Sequence, residues 1–405
     1  MHLRTLVLAL LCALPLAAQN ASVDVLHYRV DLEVLKEESM CATAELTVRP
    51  VATLSSLQLD FIGLAIDTIT VDGRPASFSR DGGKLSIALQ PARTEPFRVA
   101  IRYHGKPEDG LILRTNKYRD PSAFADNWPN RARHWLPSVD HPSDKATVEF
   151  FVTAPAKFDV IANGRLVSTT TLPDGLKRVY WSEPTPIPVH CMVVGATEFT
   201  IVDAGPLSYW LYPEDRERGV AQFGRAPQVF DFFTKTIGPY PYEKLALVES
   251  STRFGGMENS SAIFLDEKSI NTPMPLEALV AHEIAHQWFG DSVTQRDWHD
   301  LWLSEGFATY FANLFYEHAD GRAAFVERMR KDRQDYLDAQ QRNPLAIHDR
   351  SIADLTKLLN RFTYEKGAWV LHMLRGILGD EAFFAAVRDY YAAYRDRNAA
   401  TSELR

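Results

Sequence analysis

The chain has 405 residues, 46% of them hydrophobic, and a formal net charge of −8. This acidic balance argues against nucleic-acid binding, because phosphate backbones are recognised by clustered basic side chains. The length and the apolar fraction suit two hydrophobic cores, and no repeat or low-complexity tract interrupts the chain.

Residues 1–18 are predicted to be a signal peptide. A short basic start with Arg4 precedes an apolar core that opens at Leu6, and Ala17 and Ala18 are small residues suited to cleavage after Ala18. We therefore expect a secreted or periplasmic protein. No other stretch approaches the length that a bilayer requires, so no membrane span is expected after signal removal.

Two cysteines, Cys41 and Cys191, remain after that cleavage. In an oxidising compartment a disulfide between them is compatible with the sequence, but two free, buried thiols are the default expectation. Their spacing does not decide between these alternatives.

Residues 19–203 are predicted to form an all-β domain. Short runs of alternating apolar and polar residues occur at 27–34, 57–61, 98–103 and 147–152. Turn signals of the Asp-Gly or Asn-Gly type stand at 72–73, 81–82, 163–164 and 174–175. From about residue 204, strands predicted at 207–211 and 245–248 give way to helical runs, which indicates an α+β domain over 204–405.

The most informative stretch is His282-Glu283-Ile284-Ala285-His286. Residues at i and i+4 lie on one face of a helix, so His282 and His286 can bind the same Zn²⁺ ion, and Glu283 can reach the water that the ion activates. The alternative is that these are ordinary packing or surface histidines of a helix.

The surroundings of the motif favour the metal site. An apolar run predicts a helix over roughly 275–289, with Asn271 and Thr272 as caps and Gly290 at its end. A second helix is predicted from about 301 to 320. Two antiparallel helices joined by a short loop would return the second helix to the face that carries the histidines.

Glu305, at the start of that second helix, would then lie beside the two histidines. A catalytic zinc has three protein ligands and one open position. We therefore predict that His282, His286 and Glu305 bind one Zn²⁺ per chain, and that the protein is a metallohydrolase.

With these residues the sequence resembles the M1 aminopeptidases, a branch of the gluzincins. The resemblance is carried by residues 282–291 with 305–308, by Gly255-Gly256-Met257-Glu258-Asn259, which is similar to the family's exopeptidase signature, by 364–368, and by 132–146. It implies a saddle-like all-β domain over 19–203 and a thermolysin-like catalytic domain over 204–405. It also implies that the helical domain which follows in relatives is missing here, either because the chain is a fragment or because it is a short form.

The chemistry of an aminopeptidase assigns roles to two carboxylates. Glu283 would take a proton from the zinc-activated water and pass it to the leaving amine. Glu258 would bind the free α-ammonium group of the substrate by a charge-assisted hydrogen bond, with Gly255, Gly256, Met257 and Asn259 as further substrate-binding residues. The alternative for the glycine pair is a simple turn before a strand.

Tyr364 is implied by the resemblance to be the catalytic tyrosine, donating to the oxyanion of the tetrahedral intermediate. From its local sequence alone it would be a packing residue. Carboxylates that could orient the histidine ligands are Asp291, Asp300 and Glu277, and the sequence does not choose among them.

One position departs from the family pattern. Many relatives have an acidic or amide residue five positions before the equivalent of Arg133, where this chain has Trp128, and Asp126 or Asn127 would be the substitutes. The predicted function is a zinc aminopeptidase acting on peptides with a free N-terminus. The rivals are a zinc endopeptidase, a relative with epoxide-hydrolase activity, and a catalytically silent peptide-binding protein.

Overall fold

The structure is a computed structural model that describes residues 22–34 and 39–404. The predicted signal peptide, residues 1–18, lies outside the described residues. An all-β half is followed by a half in which a small sheet is covered by helices. The predicted α+β architecture is thereby confirmed.

Strands build the first half. They are β1 (Val23–Val34), β2 (Met40–Pro50), β3 (Leu54–Asp60), β4 (Ala65–Val71), β5 (Arg74–Pro75), β6 (Phe78–Asp81), β7 (Lys84–Arg93), β8 (Phe97–Gly105), β9 (Leu111–Thr115), β10 (Pro121–Ala125), β11 (Lys145–Pro155), β12 (Asp159–Ala162), β13 (Arg165–Thr171), β14 (Leu176–Pro188) and β15 (Val194–Thr197). They form sheets ordered β13-β14-β11-β1-β2-β8-β4-β5, β12-β15-β10-β9 and β3-β7-β6.

The alternation of apolar and polar residues in the sequence corresponds to an alternation of buried and more exposed side chains in the largest sheet. In β2 the buried side chains are Met40, Ala42, Ala44, Leu46 and Val48. Since successive side chains of a strand point to opposite faces, this places one face of the sheet on the core. The predicted turns at 72–73 and 174–175 are confirmed, because both residues of each pair have positive φ, as a two-residue hairpin turn of type I′ requires.

The second half begins with strands and continues with helices. Its strands are β16 (Thr200–Ala204), β17 (Leu207–Leu211), β18 (Leu245–Ser250), β19 (Gly256–Met257), β20 (Ala262–Asp266), β21 (Val293–Gln295) and β22 (Arg397–Ala399). Its helices are α1 (Arg216–Gln222), α2 (Ala226–Thr236), α3 (Glu267–Ile270), α4 (Glu277–His286), α5 (Trp302–Asp320), α6 (Arg322–Arg342), α7 (Gly367–Leu378) and α8 (Asp380–Tyr394). Among the described residues, no helix combines the length and the apolar character that crossing a bilayer takes.

The sheet of the second half, ordered β16-β17-β18-β20-β19, joins the two halves. Leu245 and Leu247 of β18 pack into the core formed with the helices, whereas Ala246 and Val248 pack into the core of the first half. Both faces of β18 are therefore buried, and the two halves share a continuous interior. The sheet already includes β16, so it starts a few residues before the predicted change at 204.

The metal-binding helix differs from its prediction at both ends. Asn271 and Thr272 do not cap it, because Asn271 instead ends α3, and α4 begins after Leu276 without a side-chain cap. The predicted caps were wrong. The helix ends at His286, and Gly290 has a φ of +131° in the turn that follows.

The cysteine alternative is also resolved. Both are free thiols, as expected, but the expected burial is wrong for Cys41, which is exposed, and right for Cys191.

Candidate active site

The three predicted zinc ligands converge on one point. Residues His282 and His286 lie one turn apart on α4, and α5 packs beside α4 and brings Glu305 to them. The Nε2 atoms of the two histidines are 2.9 Å apart, and Oε2 of Glu305 lies 3.1 Å from Nε2 of His282 and 3.3 Å from Nε2 of His286. Ligand atoms about 2.0–2.1 Å from a tetrahedral zinc would be separated by about 3.3–3.4 Å. The donor set therefore fits a zinc ion.

The other ring nitrogen of His286 has its own partners. Its Nδ1 lies 3.1 Å from the carbonyl oxygen of Phe289 and 3.0 Å from Oγ of Ser304. A carbonyl can only accept, so Nδ1–H donates to Phe289 and leaves the Nε2 lone pair directed at the ligand triangle. A Cβ at Gly290 would lie 2.4 Å from Oγ of Ser304 and 2.9 Å from Nδ1 of His286, so glycine is required there.

The carboxylates suggested for this orienting role have other partners. Asp291 accepts from the side chain of Gln287 at 2.8 Å. Asp300 accepts from the backbone and hydroxyl of Thr401. Glu277 pairs with Arg225. None of these three carboxylates contacts a histidine ligand in the described part of the chain, and for His286 the carbonyl of Phe289 is the orienting acceptor instead.

The electrostatics of the centre favour positive charge. Burial by itself lowers the pKa of His286, but the carboxylates of Glu258 and Glu305 overcome it and raise that pKa to about 10. Burial raises the pKa of Glu305, and the two histidines outweigh it and lower the value to about 2. The same field that stabilises a proton here stabilises a divalent cation, which is a second sign that the residues suit zinc.

Glu283 projects from α4 against the backbone of β19. It is 4% exposed, and a Cβ added to Gly256 would lie 2.3 Å from its Oε1 atom. Only a glycine allows the strand to approach this carboxylate so closely. Burial, reinforced by Glu258 and Glu305 and opposed by His286, raises the pKa of Glu283 well above its usual value, which is the direction that a general base working near neutrality would require.

Glu258 comes into the same space from the loop that follows β19. Its carboxylate, that of Glu283 and a ring nitrogen of His286 all lie within 4.8 Å of one another. The Gln287 side chain fastens the loop to the metal helix: its Nε2 donates to the Glu258 carbonyl at 2.7 Å, and its Oε1 accepts from the backbone N–H of Ser261 at 2.8 Å. Gln287 lies within residues 282–291, which carry the resemblance, but its position in the sequence did not predict this role.

Tyr364 lies in a π-helical turn, Phe362–Lys366, that leads into α7. Its ring is nearly parallel to that of His282, with 5.7 Å between the centroids and 9° between the planes. Burial, followed by the charge of Glu305, raises the pKa of Tyr364 well above its usual value. The phenol therefore keeps its proton and is able to donate a hydrogen bond beside the ligand triangle.

Two glycines set the position of that tyrosine. A Cβ at Gly306 of α5 would lie 2.9 Å from the Cα of Gly367, and a Cβ at Gly367 would lie 2.8 Å from the Cα of Gly306. The backbones of α5 and α7 therefore touch, three residues after Tyr364. Both glycines were in the segments that carry the resemblance, yet nothing in their local sequence predicted that they face each other.

A small cavity of about 50 Å³ gathers most of these groups. Its lining consists of Trp128, Phe254, Gly256, Met257, Glu258, His282, Glu283, His286, Glu305, Leu359 and Tyr364. Of the predicted substrate-binding residues, Gly255 and Asn259 are absent from this lining. They shape the loop, since the Gly255 carbonyl accepts from Asp266 and the Asn259 carbonyl accepts from Ala262.

Trp128 is part of the cavity wall, and its two neighbours are not. Asp126 pairs with Arg131, and Asn127 donates to the Met192 carbonyl at 2.7 Å. Both side chains are buried and already hydrogen-bonded, since Asp126 also accepts from the backbone N–H of Arg253 at 3.3 Å and Asn127 also accepts from the indole of Trp135 at 2.8 Å, so neither substitutes for an amine-binding residue. The wall at this position is aromatic instead, with the ring of Trp128 in edge contact with that of Phe254.

Both halves of this chain match domains of known protein families. Residues 222–405 match the peptidase family M1 domain, and residues 25–190 match the peptidase M1 N-terminal domain. The probable aminopeptidase 1 of Sulfurisphaera tokodaii is 29% identical over 381 residues, which cover 86% of this chain and 46% of that protein. Rat glutamyl aminopeptidase is 26% identical over 76% of this chain and 35% of its own length. The chain thus spans about half the length, or less, of these curated relatives.

Solved structures show the same architecture. The M1 zinc metallopeptidase from Deinococcus radiodurans superposes with a TM-score of 0.76 at 26% identity, over 95% of this chain and 89% of its own. Yeast LTA4 hydrolase superposes with a TM-score of 0.85 at 19% identity, over 95% of this chain and 64% of its own, and shows the fold alone. With both domain matches and a donor triangle that fits zinc, the chain belongs to peptidase family M1, the family of zinc metallopeptidases.

Proposed function

We propose that this protein is a secreted zinc aminopeptidase that hydrolyses the first peptide bond of peptides with a free N-terminus. The observation that carries the proposal is the position of Glu258. Its carboxylate reaches the same point as Glu283 and His286, next to the ligand triangle. An endopeptidase would have no need of this additional buried carboxylate beside the ligand triangle.

His282, His286 and Glu305 would hold the metal. When bound there, zinc would lower the pKa of a water molecule and polarise the scissile carbonyl. Glu283 is the general base: its carboxylate lies beside the triangle, accepts the proton of the attacking water, and returns it to the leaving amine. Its burial keeps competing solvent away during the transfer.

Glu258 and Tyr364 would position the amine and the scissile carbonyl of the substrate, respectively. A charge-assisted hydrogen bond from the substrate ammonium to the Glu258 carboxylate places the first residue over the triangle. The protonated phenol of Tyr364 donates to the carbonyl oxygen as negative charge develops on it. Support for peptide binding in this fold comes from the Deinococcus radiodurans structure that contains a Tyr-Ser-Ala substrate.

Secretion remains part of the proposal. It rests on the basic start and apolar core of residues 1–18, which have the pattern of a signal peptide. Export of a fusion that carries these residues, compared with one that begins at Gln19, is the measurement that tests it. Retention of both fusions in the cytoplasm would contradict it.

The experiment that tests the enzymatic activity combines metal analysis with a substrate panel. We expect about one zinc per chain, loss of activity with a chelator, and recovery with added zinc. Aminoacyl anilides with a free amine should be hydrolysed, and the N-acetylated forms should be poor substrates. His282→Ala and Glu305→Ala should lower zinc content and activity together.

The same panel separates the rivals. Equal hydrolysis of free and acetylated substrates would indicate an endopeptidase. Turnover of an epoxide without turnover of any aminoacyl anilide would indicate an epoxide hydrolase. Peptide binding with zinc present and no turnover of any substrate would indicate a silent binding protein.

A further inference from the structure

A second, much larger groove opens beside the zinc-ligand cavity. Its volume is about 760 Å³, within the range of roughly 300–1,000 Å³ that is usual for pockets that bind small molecules. Its lining consists of Ala339, Arg342, Asn343, Leu345, Leu359, Asn360, Arg361, Phe362, Tyr364 and Glu365. We call it the α6 groove, because the end of α6 forms one wall.

The α6 groove is continuous with the catalytic cavity. Leu359 and Tyr364 line both spaces, so the wall of one becomes the wall of the other at the proposed oxyanion donor. Glu258 lies on the His286 side of the ligand triangle, whereas the ring of Tyr364 lies against His282. A peptide with its amine on Glu258 and its scissile carbonyl beside Tyr364 therefore directs its leaving part into the groove.

The two ends of this path carry opposite charge. The catalytic cavity is lined by three buried carboxylates, and the α6 groove has two guanidinium groups. Arg361 is paired with Glu365. Arg342 is exposed, and its Nε donates to the Asp338 carbonyl at 3.0 Å, but within residues 22–34 and 39–404 it makes no ion pair.

From this continuity and this charge we propose that the α6 groove binds the part of a peptide beyond the scissile bond. We further propose that Arg342 pairs with its C-terminal carboxylate. The inference rests on the proposed aminopeptidase function and specifies its substrate class. The preferred substrates are short peptides with both ends free, the ammonium group at Glu258 and the carboxylate at Arg342.

The test compares peptides that differ only in their last group. Tri-, tetra- and penta-alanine are offered as free acids and as C-terminal amides to the wild type, to Arg342→Ala and to Arg330→Ala. Arg330 is a matched control, because it lies on the same helix, is exposed, and pairs with Glu327 away from the groove. For the length that spans the groove, kcat/KM of the wild type should favour the acid by about fivefold, the size of a good partly exposed ion pair. Arg342→Ala should bring that ratio to about one, and Arg330→Ala should preserve it.

Binding of the same peptides to Glu283→Gln protein, measured by calorimetry, makes the test independent of turnover. Tighter binding of the acid that is lost in the Glu283→Gln, Arg342→Ala double variant supports the proposal. Equal binding of acid and amide at every length overturns it. Hydrolysis of aminoacyl anilides tests the proposed function separately, because those substrates have no carboxylate to place on Arg342. Anilide turnover with equal acid and amide binding would therefore retain the aminopeptidase and remove the role of Arg342.

Discussion

The two parts of the cleft are built in opposite ways. Around the ligand triangle the ionisable side chains are buried, with Glu283 and Glu305 only 4% and 3% exposed, and they are held by the contacts of α4, α5 and β19. In the α6 groove, Arg342 and Arg361 are exposed and belong to the end of one helix and the loop before the π-helical turn. Charges act strongly where water is excluded and weakly where solvent and salt screen them.

This difference predicts a gradient of effects along the cleft. Substitutions at the triangle should change the rate of the chemical step by orders of magnitude. Substitutions in the α6 groove should change the choice among substrates by small factors. The following variants move from the first region towards the second.

The largest effect is expected for Glu283→Gln. The amide keeps the shape of the side chain but cannot accept the proton, so kcat should fall by about 10²–10⁴-fold while zinc content is retained. The matched control is Glu277→Gln, at the other end of α4, where the carboxylate pairs with Arg225 away from the cavity. The test measures kcat and metal content for both variants. An unchanged kcat for Glu283→Gln would show that Glu283 is not the general base.

Next in size is Tyr364→Phe, which deletes one hydroxyl and keeps the ring that lies against His282. Loss of an oxyanion donor should lower kcat by about a hundredfold with little change in the melting temperature. Tyr336→Phe, on α6, is the control for loss of a phenol elsewhere. Equal kcat values for the wild type and Tyr364→Phe would make Tyr364 a packing residue.

Glu258→Gln removes the negative charge proposed to bind the substrate amine. A hydrogen bond to a charged group is worth about 1.5–3 kcal/mol, so kcat/KM for substrates with a free amine should fall by about 10- to 100-fold. The small activity on acetylated substrates should change far less, and these substrates are the internal control. If both classes lose activity equally, Glu258 supports the fold of the loop and does not recognise the amine.

The smallest effect predicted at the catalytic end is one on stability, from Gly367→Ala. The new methyl group would lie 2.8 Å from the Cα of Gly306, so α5 and α7 must separate, at a cost of about 1–3 kcal/mol. Gly376→Ala on the same helix has nothing within 4 Å of its new methyl group and should stabilise the protein slightly, because alanine favours a helix. Thermal unfolding of both variants measures the contrast, and equal melting temperatures would show that the contact is loose.

The local sequence pattern was enough to predict the two helices that carry the metal ligands. His282 and His286 had to share a helix face by their spacing, and the return of Glu305 followed from two helices and a short connection. The hairpin turns at 72–73 and 174–175 could equally be predicted from the sequence, because a turn with positive φ at both positions favours an Asp-Gly pair. In each case the determining interactions lie within a few residues along the chain or between adjacent elements.

Predictions that depended on particular side-chain partners did worse. Asn271 looked like a cap for α4 but ends α3, and Asp291, Asp300 and Glu277 looked like partners of the zinc histidines but bind other groups. The orienting acceptor of His286 is the carbonyl of Phe289, which no side-chain pattern can reveal. Residue type limits what a group is able to bind, and packing selects which partner it meets.

By itself, then, the sequence determined the donor set for zinc, the helix that presents it, and the order of an all-β half before an α+β half. Only the tertiary structure decided that Glu258 meets Glu283, that Gly306 touches Gly367, and that the α6 groove opens at Tyr364. The physical reason is the separation along the chain of the residues that interact. Spacing along a helix or strand fixes geometry over a few residues, whereas these contacts join segments dozens of residues apart, and their distances are set by the close packing of the whole interior.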